Sequence, residues 1–150
     1  MSFLAVGGDN DDACIAARPQ MDALQPFLKC ILLTAFAGGF GGVARFLVDT
    51  AVAGRSTLSI PVGTIVVNAT ACLLLGLLTG YALAHDGAAS YRAVLGVGFL
   101  GGYSTFSTAS VEGARLLRQG RTLAAVVHGG GMLLVSLVAS TVGLLIGGLF

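Results

Sequence analysis

The chain has 150 residues, 55% of them hydrophobic and only 10% charged, with a formal net charge of +1. A soluble domain carries roughly a quarter charged residues, so the composition places this chain in a membrane, and its near-neutral charge argues against a nucleic-acid partner. The three cysteines, Cys14, Cys30 and Cys72, lack metal-ligand spacing, and there is no phosphate loop, Cys/His cluster or nucleophile elbow, so nothing signals an enzyme.

Residues 1–26 are a polar segment, with Asp9, Asp11, Asp12, Arg18, Pro19, Asp22 and Pro26 among small residues. The apolar stretch at 3–6 is too short for a signal peptide, so a mobile tail is expected. Residues 27–150 read as one all-α membrane domain. Measured against the ~20 residues that cross a bilayer, apolar runs predict four transmembrane helices, at about 27–52, 57–84, 93–112 and 122–149; the first is charge-free only from Cys30 to Ala44 and must be continued past Arg45. The connections are short, which predicts a compact bundle. Arg18, Lys29 and Arg92 on one side face Arg55, Arg115, Arg118 and Arg121 on the other. That near balance is compatible with insertion in both orientations.

In the first span, Gly38-Gly39-Phe40-Gly41-Gly42 permits close helix approach, and Gly76 and Gly80 repeat small-residue spacing in the second. Arg45 and Asp49, four residues apart, share a helical face and can pair near the interface. Asn68 lies far from any loop. An amide in hydrocarbon needs partners, so it either bonds a neighbouring helix or offers its NH₂ to something passing.

Residues 96–112 are the most informative segment. Glycines weaken the helix there, and Ser104, Thr105, Ser107, Thr108 and Ser110 supply hydroxyls that hydrocarbon cannot satisfy. Irregular backbone survives at membrane depth only where protein or a watery cavity surrounds it, so the third helix is expected to break near its middle at a permeation or ion-binding element. Glu112 closes the span as an anchor or vestibule contact. In the fourth span, His128 precedes Gly129-Gly130-Gly131 and reads either as a vestibule residue or as an ordinary satisfied histidine near an interface.

Four stretches together resemble the CrcB/Fluc family of small fluoride channels: Gly38-Gly39-Phe40-Gly41-Gly42-Val43-Ala44-Arg45-Phe46, Gly63-Thr64-Ile65-Val66-Val67-Asn68, Gly101-Gly102-Tyr103-Ser104-Thr105-Phe106-Ser107-Thr108, and Glu112 at the usual offset. The resemblance implies a cell-membrane, multi-pass protein that lets fluoride leave the cytoplasm passively and so gives fluoride resistance. It further implies an antiparallel, dual-topology dimer in the lipid bilayer, with two narrow pores at its interface and one structural sodium ion (Na+) at its centre. By position, Asn68, Thr105, Phe106, Ser107, Thr108, Ser136 and His128 resemble pore residues. Gly101 and Ser104 fall where backbone carbonyls hold the sodium, and Arg45 and Glu112 fall at structural or vestibule positions. Two departures stand out: Ala109 replaces a second phenylalanine, and Met132 replaces a pore serine. These losses suit a heterodimer with a fuller homologous subunit as well as a homodimer. The alternatives are a small proton-coupled multidrug exporter, which would need an acid deep in a span, and a non-conducting partner subunit.

Overall fold

The computed structural model describes the backbone of residues 9–56, 60–85 and 92–150, and side chains from residue 24 onward. Residues 1–8, the start of the expected tail, and residues 57–59, the start of the expected second span, lie outside the described residues. All described secondary structure is helical. Helix α1 spans Asp9–Ala53 and α2 spans Val62–Ala84. The next helix, α3, is a π-helix over Arg92–Leu100 that closes with an α turn over Gly101–Tyr103; α4 covers Phe106–Arg118 and α5 covers Thr122–Gly147.

Three segments are long and apolar enough to cross a membrane: Leu24–Ala53, Val62–Ala84 and Thr122–Gly147. The shortest of these is about 35 Å long at the usual helical rise, enough for a hydrocarbon core of about 30 Å. Pro61 stands immediately before α2, where its missing N–H removes no helical bond. The third apolar run is divided between α3 and α4 by Ser104 and Thr105, both in extended conformation. The break was expected; the π winding of α3 was not. Helix α4 also continues past Glu112 to Arg118. There Gly120, at φ +72°, forms a Schellman stop, with its N–H donating to the Leu117 carbonyl at 3.0 Å and the Arg121 N–H to Leu116 at 3.0 Å. Arg115 and Arg118 lie in the last turn, where cations favour the negative end of the helix.

Glycines set the distances between helices. A methyl group on Gly76 would strike the Ser140 carbonyl, and one on Gly80 the Leu144 carbonyl; on the facing helix, Gly143 and Gly147 meet the Leu73 and Leu77 carbonyls. Helices α2 and α5 therefore run parallel in backbone contact. Helices α1 and α3 form a second such seam, with Gly41 against the Phe99 carbonyl and Gly102 against the Gly38 carbonyl. Only alternate members of the first glycine cluster take part, since Gly39 and Gly42 face open space. Between the seams, Val67, Ala71 and Tyr103 form the buried core, flanked by Ala44 and Val48. Outward faces are apolar, including Phe36, Phe40, Phe46, Leu133 and Leu137. Such faces suit lipid or another copy rather than water.

The seam geometry predicts that Gly143→Ala destabilises the bundle by about 1–3 kcal/mol through overpacking. Gly129→Ala, which has nothing within 4 Å of the added methyl, is expected to be neutral or slightly stabilising. Thermal unfolding of both variants in detergent would check this; equal melting temperatures would contradict the seam.

Candidate functional site

The break in the third apolar run leaves backbone groups that a continuous helix would pair. In an α-helix the Thr105 N–H would donate to the Gly101 carbonyl. Here it donates instead to Asn68 Oδ1 at 2.9 Å. The Thr108 N–H, which would reach the Ser104 carbonyl, donates to Thr105 Oγ1 at 3.2 Å and so caps the start of α4. Both the Gly101 and Ser104 carbonyls thus lose their helical donors. Carbonyl oxygens released in this way are the kind of ligand a hard cation accepts.

Asn68 closes the break from across the bundle. Its Nδ2 donates to the Thr105 carbonyl at 3.0 Å and to the Thr64 carbonyl at 3.0 Å, with Met132 Sδ a weaker third contact at 3.5 Å. Both amide hydrogens and the amide oxygen are therefore committed to protein, which fixes the side chain's orientation. Of the two roles open to this residue in the sequence, the interhelical bond is present in this structure. A second tie lies nearby, where the Thr70 hydroxyl meets the Tyr103 hydroxyl at 2.9 Å and anchors the end of α3 to α2.

The hydroxyls beyond the break form one cluster. Thr105 Oγ1 donates to Thr108 Oγ1 at 3.0 Å and lies 3.3 Å from Ser107 Oγ. Ser110 instead donates back to the Phe106 carbonyl in its own helix. Thr105 and Thr108 line a cavity of about 180 Å³ together with Arg45, Phe46, Asp49, Thr64 and Val67. Within it, Arg45 and Asp49 do not form the expected ion pair. The Asp49 carboxylate lies instead against Gly63 in the first turn of α2, where the positive end of that helix favours a carboxylate.

Glu112 and His128 are brought together by α4 and α5, with His128 Nε2 3.5 Å from Glu112 Oε2. His128 is 1% exposed, enclosed by the bundle. Ser136 Oγ and Thr64 Oγ1 are buried without hydrogen-bond partners. Phe106 is separate from these groups: its ring is 82% exposed at the start of α4, whereas Ala109, one turn on, is 6% exposed and packs inward.

Residues 32–147 match the family described as CrcB-like protein, Camphor Resistance (CrcB). The chain belongs to the CrcB family. The CrcB match takes in the whole break, its Asn68 clasp, Glu112 and His128. Relatives bear this out over most of their length. The fluoride-specific ion channel FluC 1 of Leifsonia xyli subsp. xyli is 46% identical over 119 residues, 79% of this chain and 87% of the relative. The fluoride-specific ion channel FluC 2 of Cutibacterium acnes is 42% identical over 118 residues, 78% of this chain and 96% of the relative. FluC 2 of Mycobacterium tuberculosis is 41% identical over 110 residues, covering 73% and 81%. Family membership and the apolar helices together make this a multi-pass membrane protein.

Sequence reasoning did not single out Thr64, Thr70 or Tyr103. The available signal was their polarity within apolar spans, the same signal that drew attention to Asn68.

The clasp predicts the effect of Asn68→Asp. A carboxylate facing the Thr64 and Thr105 carbonyls has no hydrogen to give, so the variant is expected to lose about 1–3 kcal/mol of stability. Denaturant or thermal unfolding in detergent measures this, and a melt unchanged from the wild type would rule out the clasp.

Proposed function

We propose that this chain is a subunit of a fluoride-selective channel of the cell membrane, through which fluoride leaves the cytoplasm passively and confers fluoride resistance. One observation carries the reading: relatives named as fluoride-specific channels align across the broken helix and its surroundings at up to 46% identity. The chemistry of the site is compatible with it. A small anion must shed water to enter a narrow filter, and groups along the path must replace that water. The Thr105, Ser107 and Thr108 hydroxyls are donors, Ser136 and His128 carry polar atoms with no partner in the bundle, and the Phe106 ring edge carries positive quadrupole character. Asn68 serves this path by holding Thr105 in place. No bond-making chemistry is involved.

Four spans follow if α3 and α4 together make the third crossing. We read the functional unit as an antiparallel dimer. The exposed Phe106 ring and the apolar groove of about 570 Å³ on α1, lined by Leu32, Phe36, Phe40 and Val43, both need covering, and the near balance of arginines suits insertion in two orientations. A sodium ion fits the Gly101 and Ser104 carbonyls, with the matching pair from a second copy completing an all-oxygen shell. It would tie the two broken helices together. Arg45 and Asp49 belong to the vestibule.

Met132 favours a heteromeric version of the same reading, because its thioether sits 3.5 Å from the Asn68 amide, where a hydroxyl would otherwise extend the polar path.

Vesicles containing the chain, alone or with a homologous subunit, are expected to release fluoride at least about a hundredfold faster than chloride, a barrier difference of about 3 kcal/mol. Ion-selective electrodes give both rates, and comparable chloride flux would refute the proposal. If the heteromer is the working form, the lone chain assembles by size-exclusion chromatography but conducts weakly, and a co-expressed homologue raises its flux. Robust flux from the lone chain would refute that requirement.

A further inference from the structure

We propose that the pair formed by buried His128 and partly exposed Glu112 is a proton-binding switch on the anion path, so that fluoride flux through this chain rises as pH falls. The inference rests on the channel reading and adds regulation to it. Its starting point is an unsatisfied cluster. His128 is 1% exposed, and neither ring nitrogen has a hydrogen-bond partner. Its Nε2 approaches Glu112 Oε2 to 3.5 Å, within ion-pair distance but without hydrogen-bonding alignment, and that oxygen is also unpartnered. Buried polar groups in native proteins nearly always find partners, so an exception calls for a functional account.

Thr64 adds a third such group from a third helix. Helices α2 and α5 run parallel in a constant register: Asn68 contacts Met132, Gly76 abuts Ser140 and Gly80 abuts Leu144. The same register sets Thr64 level with His128. Thr64 Oγ1, on a residue 1% exposed, likewise has no partner. Helices α2, α4 and α5 thus bring Thr64, Glu112 and His128 toward one level of the bundle, the level of the cavity that Thr64 lines with Arg45 and Asp49.

Arg45 and Asp49 of α1, of opposite charge, face this level from the cavity, and the other helices add little. Helix α5 carries no other charged residue between Thr122 and Gly147, and α2 carries none between Val62 and Ala84, where the titratable Tyr81 sits at the far end. Helix α4 also carries Arg115 and Arg118, both exposed. Among the described residues, Glu112 alone lies within ion-pair distance of His128. With a neutral imidazole and an ionised Glu112 the pair bears one negative charge, which repels an anion strongly in a medium of low dielectric. A proton on His128 cancels that charge and makes both ring nitrogens donors. One then faces Glu112 and the other is free to donate to an anion. Each added proton makes the site less negative, so lower pH favours anion passage.

The test is fluoride efflux from vesicles holding the full chain, alone or with a homologous subunit, at symmetric pH from about 5 to 8, the ordinary imidazole range. Protein-free vesicles at each pH supply the background, because HF crosses lipid unaided. Flux per protein is expected to rise about tenfold from the alkaline to the acid end, and both His128→Gln and Glu112→Gln are expected to flatten the profile whatever their absolute flux. A second measurement does not depend on transport. The chain has two histidines, so His85→Gln leaves His128 as the only imidazole signal in ¹⁵N spectra. Its titration is expected to coincide with the change in flux. Wild-type flux independent of pH, an undiminished pH response in His128→Gln, or an imidazole that does not titrate in this range would each overturn the switch while leaving the channel reading intact. Absence of fluoride flux at every pH would overturn the channel reading and the switch with it.

Discussion

A helix that breaks inside a bilayer exposes N–H and C=O groups to a solvent that cannot bond them, at several kcal/mol for each unsatisfied group. The interruption at Ser104 and Thr105 is tolerable because Asn68, on another helix, supplies an acceptor for the Thr105 N–H and a donor for the Thr105 carbonyl. One side chain thereby does for Thr105 what a neighbouring strand would do in a sheet. The rest of the site follows from this exchange. The redirected N–H groups leave the Gly101 and Ser104 carbonyls without their helical donors, and the Thr105 hydroxyl turns to cap α4 and gather Ser107 and Thr108.

An asparagine side chain is short, so the clasp works only if the helices are close. Two glycine seams supply that closeness. Gly76, Gly80, Gly143 and Gly147 lock α2 to α5 backbone against backbone, and Gly38, Gly41, Gly98 and Gly102 do the same for α1 and α3. Between lipid tails there is no hydrophobic drive to press helices together, so close packing and interhelical hydrogen bonds carry the association. The seams and the polar ties at Asn68 and Thr70 reinforce each other, since a bulkier seam would draw the donors and acceptors out of reach.

The same packing fixes where the unsatisfied polar atoms lie. The α2–α5 register that seats Met132 against Asn68 also carries His128 and Ser136, one helical turn to either side of Met132, into the interior. The thioether satisfies little of the polar demand around it, because sulfur is a weak acceptor. The rigid seams therefore hold the unpartnered groups on either side of Met132 in fixed positions.

Much of this architecture was legible in the sequence because hydrocarbon is an unforgiving solvent. Uncharged runs of sufficient length mark α2 and α5, a shorter run continued past Arg45 marks α1, and clustered glycines and hydroxyls mark the break between α3 and α4, since each pattern is expensive unless it serves a purpose. The sequence also identified the residues gathered at the break. It could not determine what each one bonds. Asn68 has Thr105 as a partner only because the helices pack closely enough to bring it within reach. The Arg45–Asp49 spacing suggested a pair along one helix, but the first turn of α2 offered Asp49 a different neighbour. His128 had two readings open along its own span, and its neighbour Glu112 comes from α4, which the chain order of the two spans does not reveal. Spacing along a chain reports which residues share a helix face; which of them meet across helices is decided by crossing distance and register, and those exist only once the helices have packed.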